Sequence, residues 1–101
     1  MTMPIMVVPE VLASGSATEN AGAATMTGAT CAAGPEMTAV LPPGCDAASI
    51  AASEALIGRG TVAIGMMTNL TVARTLFAET IGANGAGYVA VDGIQQATLA
   101  L

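Results

Sequence analysis

Two pairs of side chains in this chain could do chemistry. Tyr88 is the only tyrosine, and Asp92 follows it in the stretch Gly87-Tyr-Val-Ala-Val-Asp92. On a helix the i and i+4 positions share a face, one turn apart, so a phenol and a carboxylate would stand side by side as a small recognition patch. Cys31 and Cys45 are the only thiols. They lack metal-ligand spacing and no histidine assists them, so neither a metal centre nor thiol catalysis is expected. The chain also has no lysine, no Gly-x-Ser-x-Gly and no acidic pair suited to general acid–base work. Gly82-Ala-Asn-Gly-Ala-Gly87 is glycine-rich, but it closes a helical stretch instead of following a strand, and no Lys-Ser/Thr comes after it. It is not read as a phosphate loop. The sequence therefore predicts a protein that is not an enzyme and needs no cofactor.

Composition narrows the remaining classes. The chain has 101 residues, enough for one small domain, and is 53% hydrophobic, yet it has one Phe, one Tyr and no Trp. Rich in alanine and glycine, it cannot fill a thick core and can only bring backbones close together. The net charge is −5, with seven acids against Arg59 and Arg74. That balance argues against nucleic acid, whose phosphates need basic side chains, and against anionic membrane surfaces. No uninterrupted apolar run approaches the ~20 residues of a spanning helix. The N-terminus, Met-Thr-Met-Pro-Ile-Met-Val-Val-Pro-Glu, has no basic residue ahead of its short apolar run and makes a poor secretory signal.

The elements that must position the Tyr–Asp pair read as two helices around one break. Pro9-Glu10 suits a helix start, with proline in the first turn and an acid at the positive end of the dipole. The expected first helix spans about 9–33, ended by Gly34-Pro35. Pro42-Pro43-Gly44 forbids helix in the middle. Asp46 is placed as the N-cap of a second helix over about 46–82. Gly82, Gly85 and Gly87 should fray that helix ahead of the Tyr–Asp pair, and residues 93–101 read as a loose tail. Two helices joined by a short Pro-rich loop form an antiparallel hairpin, an all-α fold.

Periodicity shows that the hairpin is incomplete. Val8, Gly15, Gly22 and Ala29 recur every seven residues, as do Leu12, Glu19, Met26 and Ala33; small residues at this spacing admit a close neighbour helix. In the second helix Ile50, Ile57 and Ile64 form one stripe, and Met66, Leu70, Ala73, Phe77 and Ile81 form another on nearly the opposite side. One hairpin partner covers only one of them. The glycines and threonines also make the first helix marginal alone, at about 1 kcal/mol per interior glycine relative to alanine. A two-helix unit of this size needs disulfides, metal or association. The candidate contact residues for an outside partner are Leu12, Ile50, Ile57, Ile64, Met66, Leu70 and Phe77, with the isoleucine stripe as the central interface.

Taken together, Val8-Pro9-Glu10, an Ala-rich helical segment, Thr38-Ala-Val-Leu-Pro-Pro-Gly-Cys-Asp46, a second Ala-rich helix and Tyr88-x-x-x-Asp92 resemble the mycobacterial PE proteins. The resemblance spans residues 7–92, with 1–92 as the PE domain. It is greatest to the short PE proteins of type VII (ESX) secretion loci, the ESX-3-type member being the subtype suggested. It implies a hairpin that completes a four-helix bundle with a PPE partner. It also implies export of the folded pair from the cytosol to the exterior or cell envelope by an ESX system, with Tyr88 and Asp92 as secretion-signal residues and Pro9 and Glu10 as the family hallmark. An EspG-type chaperone would grip the PPE subunit, and so touch this chain only indirectly.

The sequence departs from the family pattern in its threonines, methionines and two cysteines. Cys31 near the end of the first helix and Cys45 near the start of the second are candidates for a disulfide, which would contribute up to ~3 kcal/mol on the chain-entropy model. Two free, half-buried thiols are the preferred alternative. A self-associating, membrane-active hairpin and a structural homo-oligomer are the other function classes left open.

Overall fold

The computed structural model describes residues 6–100 of the chain. They form two helices, α1 (Pro9–Thr38) and α2 (Ala47–Ala100). The start of α1 follows from its residues. The Val8 carbonyl accepts from the amides of Val11 and Leu12, at 3.0 and 3.3 Å. Pro9 takes the first helical position, where its missing N–H removes nothing. Glu10 lies in the first turn, at the positive end of the helix dipole.

The expected end of α1 at residue 33 is corrected by the structure, in which the helix runs through Gly34-Pro35 to Thr38. A proline in the last turn removes one backbone donor, and Cys31, whose carbonyl loses that donor, is exposed, so the unpaired group is open to solvent and its cost is small. The last turn is held by the Ala39 amide on the Pro35 carbonyl at 3.0 Å and the Thr38 hydroxyl on the Gly34 carbonyl at 2.9 Å.

The interhelix loop contains Pro42-Pro43-Gly44, and α2 begins at an Asp46 cap. The Asp46 carboxylate accepts from the Ser49 amide at 3.0 Å and the Ser49 hydroxyl at 2.7 Å. These bonds, the hydroxyl's first, hold the Asp46 carboxyl below its ordinary value. A Cβ on Gly44 would come 2.8 Å from the Asp46 carboxylate, so glycine is what lets the cap fold back over the loop.

Two compact units divide the chain, one of residues 22–73 and the other joining the stretch up to Ala21 with the stretch from Arg74 onward. In residues 22–73 the two helices are antiparallel and almost touch through their backbones. A Cβ added to Gly60 would lie 2.5 Å from the Met37 carbonyl oxygen, and one on Gly34 would lie 3.8 Å from Ile64 Cδ1. Ser53 is buried and donates its hydroxyl to the Val40 carbonyl at 2.6 Å, satisfying a group just past the end of α1.

In the other unit, Ser16 donates to the Ala78 carbonyl at 2.7 Å, and Arg74 Nε pairs with Glu19 Oε2 at 2.8 Å. Gly85 lies against Leu12 there and Gly82 against Ser16, each with 3.3 Å between an added Cβ and the opposing side chain. This contact explains why α2 continues through Gly82 and Gly85, where fraying was expected; the helix then runs on to Ala100 in place of the expected loose tail. Two of the three glycines face α1, and the close approach offsets their poor helix propensity.

The two stripes of α2 differ in exposure. Ile57 and Ile64 are half-buried, and Ile64 is directed at α1 beside Gly34, so this part of the isoleucine stripe is less open than Met66 and Leu70. Ile50 is 41% exposed at the loop end. In residues 22–73 the outward residues of α2 include Val62, Met66 and Leu70, each 60–62% exposed. In the other unit Phe77 is 56% exposed. The heptad Leu12, Glu19, Met26 and Ala33 is half-buried throughout, whereas Val8 and Ala29 of the parallel series are exposed. Threonines along both helices return their hydroxyls to carbonyls one turn back, as Thr30 does to Met26 and Thr68 to Ile64, both at 2.9 Å.

The α2 helix is long and apolar enough to cross a bilayer by length and composition. Its longest run without a charge is residues 60–73, between Arg59 and Arg74, shorter than the ~20 residues a spanning segment uses.

Two predictions follow from the seam and the cap. Gly60→Ala should destabilise the protein by about 1–3 kcal/mol, because a backbone carbonyl has to move to admit the methyl. Gly28→Ala and Gly65→Ala, with nothing within 4 Å of the new Cβ, should stabilise by up to ~1 kcal/mol. Thermal melts of the three variants, with helicity read by circular dichroism, check the contrast. Because the Asp46 carboxyl is depressed in the folded state, its contribution is present above the unfolded carboxylate value and is lost as pH falls through the folded one. Asp46→Asn keeps an acceptor for the Ser49 amide, so its melting temperature should fall less between pH 5 and about pH 2 than that of the natural chain.

Candidate functional site

Tyr88 and Asp92 lie one turn apart on α2, in the unit that contains the start of α1. Both are exposed, Tyr88 at 46%. In this unit the facing residues rise on α1 as they fall on α2: Glu19 meets Arg74, Ser16 meets Ala78 and Gly82, and Leu12 meets Gly85. The Gly85 contact also reaches the Pro9 carbonyl, at 3.8 Å, so α1 begins opposite this point. Every described residue from Ala86 onward is exposed. Tyr88 and Asp92 thus stand on regular helix beyond the point that faces the start of α1. The expectation of a frayed end is replaced by a helical platform.

Tyr88 lines an open depression of about 410 Å³ with Ala83, Asn84, Gly87 and Val91. A Cβ on Gly87 would have open space around it. The patch therefore combines an aromatic face, a phenolic hydroxyl, a carboxylate one turn on and an apolar floor. Such a set can be read by a surface offering an apolar contact and a basic group. Asn84 and Val91 were not legible as part of it, although both sit three or four residues from Tyr88 and so share its face.

The remaining sequence-derived residues distribute as follows. Pro9 and Glu10 open α1. Leu12 is half-buried against Gly85. Met66, Leu70 and Phe77 point outward, whereas Ile57 and Ile64 do not. The Glu19–Arg74 pair went unrecognised in the sequence. The usable signal was an acid in a heptad series otherwise made of Leu12, Met26 and Ala33, in a chain with two cations to match it.

Cys31 and Cys45 are both free and exposed, not bridged and not half-buried. The reason is the longer α1. Cys31 lies about two turns before the end of α1, roughly 10 Å along the axis, whereas Cys45 lies in the loop beyond that end. Disulfides need Cα atoms within about 7 Å. Cys31 instead borders a cleft of about 230 Å³ with Thr27, Thr30, Thr68, Thr71 and Val72. Among the described residues there is no cluster of His, Cys, Asp or Glu that could hold a metal ion.

Comparison with known proteins gives a family. The family model described as the PE family matches residues 5–95. No curated relative and no solved structure matches the chain.

The exposed thiols make a direct prediction. Native protein treated with an alkylating reagent in the absence of reductant should take up two labels, read as intact mass, at rates close to those of the denatured chain. Zero labels before reduction and two after it would demonstrate a bridge and a different end to α1.

Proposed function

The chain belongs to the PE family, and from that premise we propose that it is the PE subunit of a PE–PPE heterodimer exported by a type VII secretion system, with Tyr88-x-x-x-Asp92 as its signal. The observation that carries the reading is the imbalance between core and surface. Among the described residues the buried apolar side chains are Ala23 and Ala78, and no large side chain is fully buried. In residues 22–73 Val62, Met66 and Leu70 meanwhile face outward. A hairpin that buries so little while exposing so much is stabilised by a second pair of helices laid over that surface, which completes a four-helix bundle.

The same reading gives the chain its route. It is made in the cytosol, held there with a PPE subunit that an EspG-type chaperone grips, and delivered as a folded pair to the envelope or exterior. The patch at Tyr88 and Asp92 suits recognition of a folded substrate, because helix geometry fixes both side chains before anything binds them. No catalytic role is assigned.

The length and hydropathy of α2 favour a second reading, a membrane-active hairpin. Co-expression with a PPE protein separates the two. The PE reading expects material that is insoluble alone and soluble as a one-to-one complex without detergent. A membrane hairpin would require detergent in both cases.

Export tests the signal. Tyr88→Ala and Asp92→Ala should each leave the heterodimer soluble, with a melting temperature little changed, and should reduce the exported fraction to background. Asp92→Asn preserves size and hydrogen bonding, so failure of that variant would identify the charge itself as the recognised feature. Unfolding of the complex by Tyr88→Ala would instead mark the ring as a packing element, and normal export would remove the signal assignment.

A further inference from the structure

The chain carries two cations, Arg59 and Arg74. Arg74 is committed to Glu19. Arg59 is exposed and makes no ion pair among the described residues, although the chain has seven acids. Its own helix supplies no partner, since the positions three and four residues away are Ala55, Leu56, Val62 and Ala63. Its surroundings are mostly apolar. Arg59 lies between two open depressions of about 420 and 410 Å³ and lines both. The first adds Val62 and Met66, and the second adds Met37, Val40 and Leu56. At 100° per residue, Arg59 falls on the same side of α2 as the outward Met66 and Leu70.

A guanidinium in the middle of an apolar face is tolerable while wet and costly once covered without an anion. If this face is buried by another protein, the anion must come from that protein. On that basis we infer that Arg59 is the charged anchor of the partner interface, pairing with a carboxylate that aliphatic residues of the partner flank on both sides. The inference rests on the heterodimer reading and specifies the chemistry of the covering surface: an acidic residue within an apolar helical face. Arginine suits the place better than lysine. An arginine stem is apolar, as are Leu56 and Val62 in the depressions that Arg59 lines, and a planar guanidinium takes a carboxylate through two parallel hydrogen bonds. One such pair also fixes the register of the partner helices along α2, which aliphatic contacts alone leave free to slide.

The absence of lysine from the chain makes the test specific. The full chain is produced with a PPE protein that carries it into solution. Arg59→Met should weaken the complex by about tenfold or more, the loss expected for a hydrogen-bonded charged pair, with the helicity of the recovered complex unchanged. Arg59→Lys introduces the only side-chain amine of the chain. Carbodiimide should then couple it to one Asp or Glu of the PPE subunit, and tandem mass spectrometry identifies that residue. Equal affinity of the Arg59→Met variant, absence of a cross-link to the partner, or a cross-link to Glu36, Glu54 or a second copy of the chain would each overturn the inference. Failure of the natural chain to form any heterodimer would instead overturn the partnership on which it rests.

Discussion

Backbone contact between the two helices is the constraint from which the rest of the structure follows. Gly60 leaves no room for a methyl between itself and the Met37 carbonyl, and the buried positions around such contacts are Ala23, Ser53 and Ala78. Helices this close gain dispersion energy along their backbones and give up the space that large side chains would fill. Leucine, methionine and valine are then displaced to the outer surface, where Val62, Met66 and Leu70 stand more than half exposed. A small-residue seam and an apolar exterior are one feature seen from two sides.

A seam of this kind is poor at specifying its own alignment, since glycine and alanine fit against each other in several registers. Polar groups supply what shape does not. Ser53 on the Val40 carbonyl anchors residues 22–73 near the loop. Ser16 on the Ala78 carbonyl and Glu19 on Arg74 anchor the other unit. The carboxylate and guanidinium are partly exposed, and pairs of that kind contribute about 0–1 kcal/mol each. Their value is discriminatory, because a slip of one residue leaves a hydroxyl or a charge against alanine.

The parts of this fold that were legible in the sequence are those set by local chemistry. The break at Pro42-Pro43-Gly44, the Asp46 cap and the start at Pro9-Glu10 depend on residues within a few positions of each other, and those residue types act through fixed φ, missing donors and side-chain acceptors. The helix ends were misjudged because their determinants are distant. Gly82 and Gly85 read as helix breakers until Ser16 and Leu12, dozens of residues earlier, are placed against them. Pro35 read as a stop because its lost hydrogen bond was weighed without its exposed position in the final turn. The two apolar stripes of α2 were visible, but their assignment was not. Choosing which stripe faces α1 requires knowing that the Gly60 side makes the closest approach, which places Ile57 and Ile64 beside it and Met66 and Leu70 away from it. The Tyr88–Asp92 pair was legible from spacing, whereas its regular helical platform was not.

That platform sets the conformation of the pair before any contact is made with it. A motif on a loose tail must be ordered when it binds, and each immobilised side chain costs roughly 0.5–1.5 kcal/mol on top of the backbone. Here α2 is 54 residues long and α1 is 30, and the facing residues beside Pro9 place the end of α1 opposite Gly85. From Ala86 onward every described residue of α2 is exposed, so the Tyr88 turn is still helical but open to solvent. Burying the pair against α1 would hide it, and unwinding the helix would separate ring from carboxylate. The mismatch in helix length avoids both, and ring and carboxylate are held one turn apart on an exposed helix face.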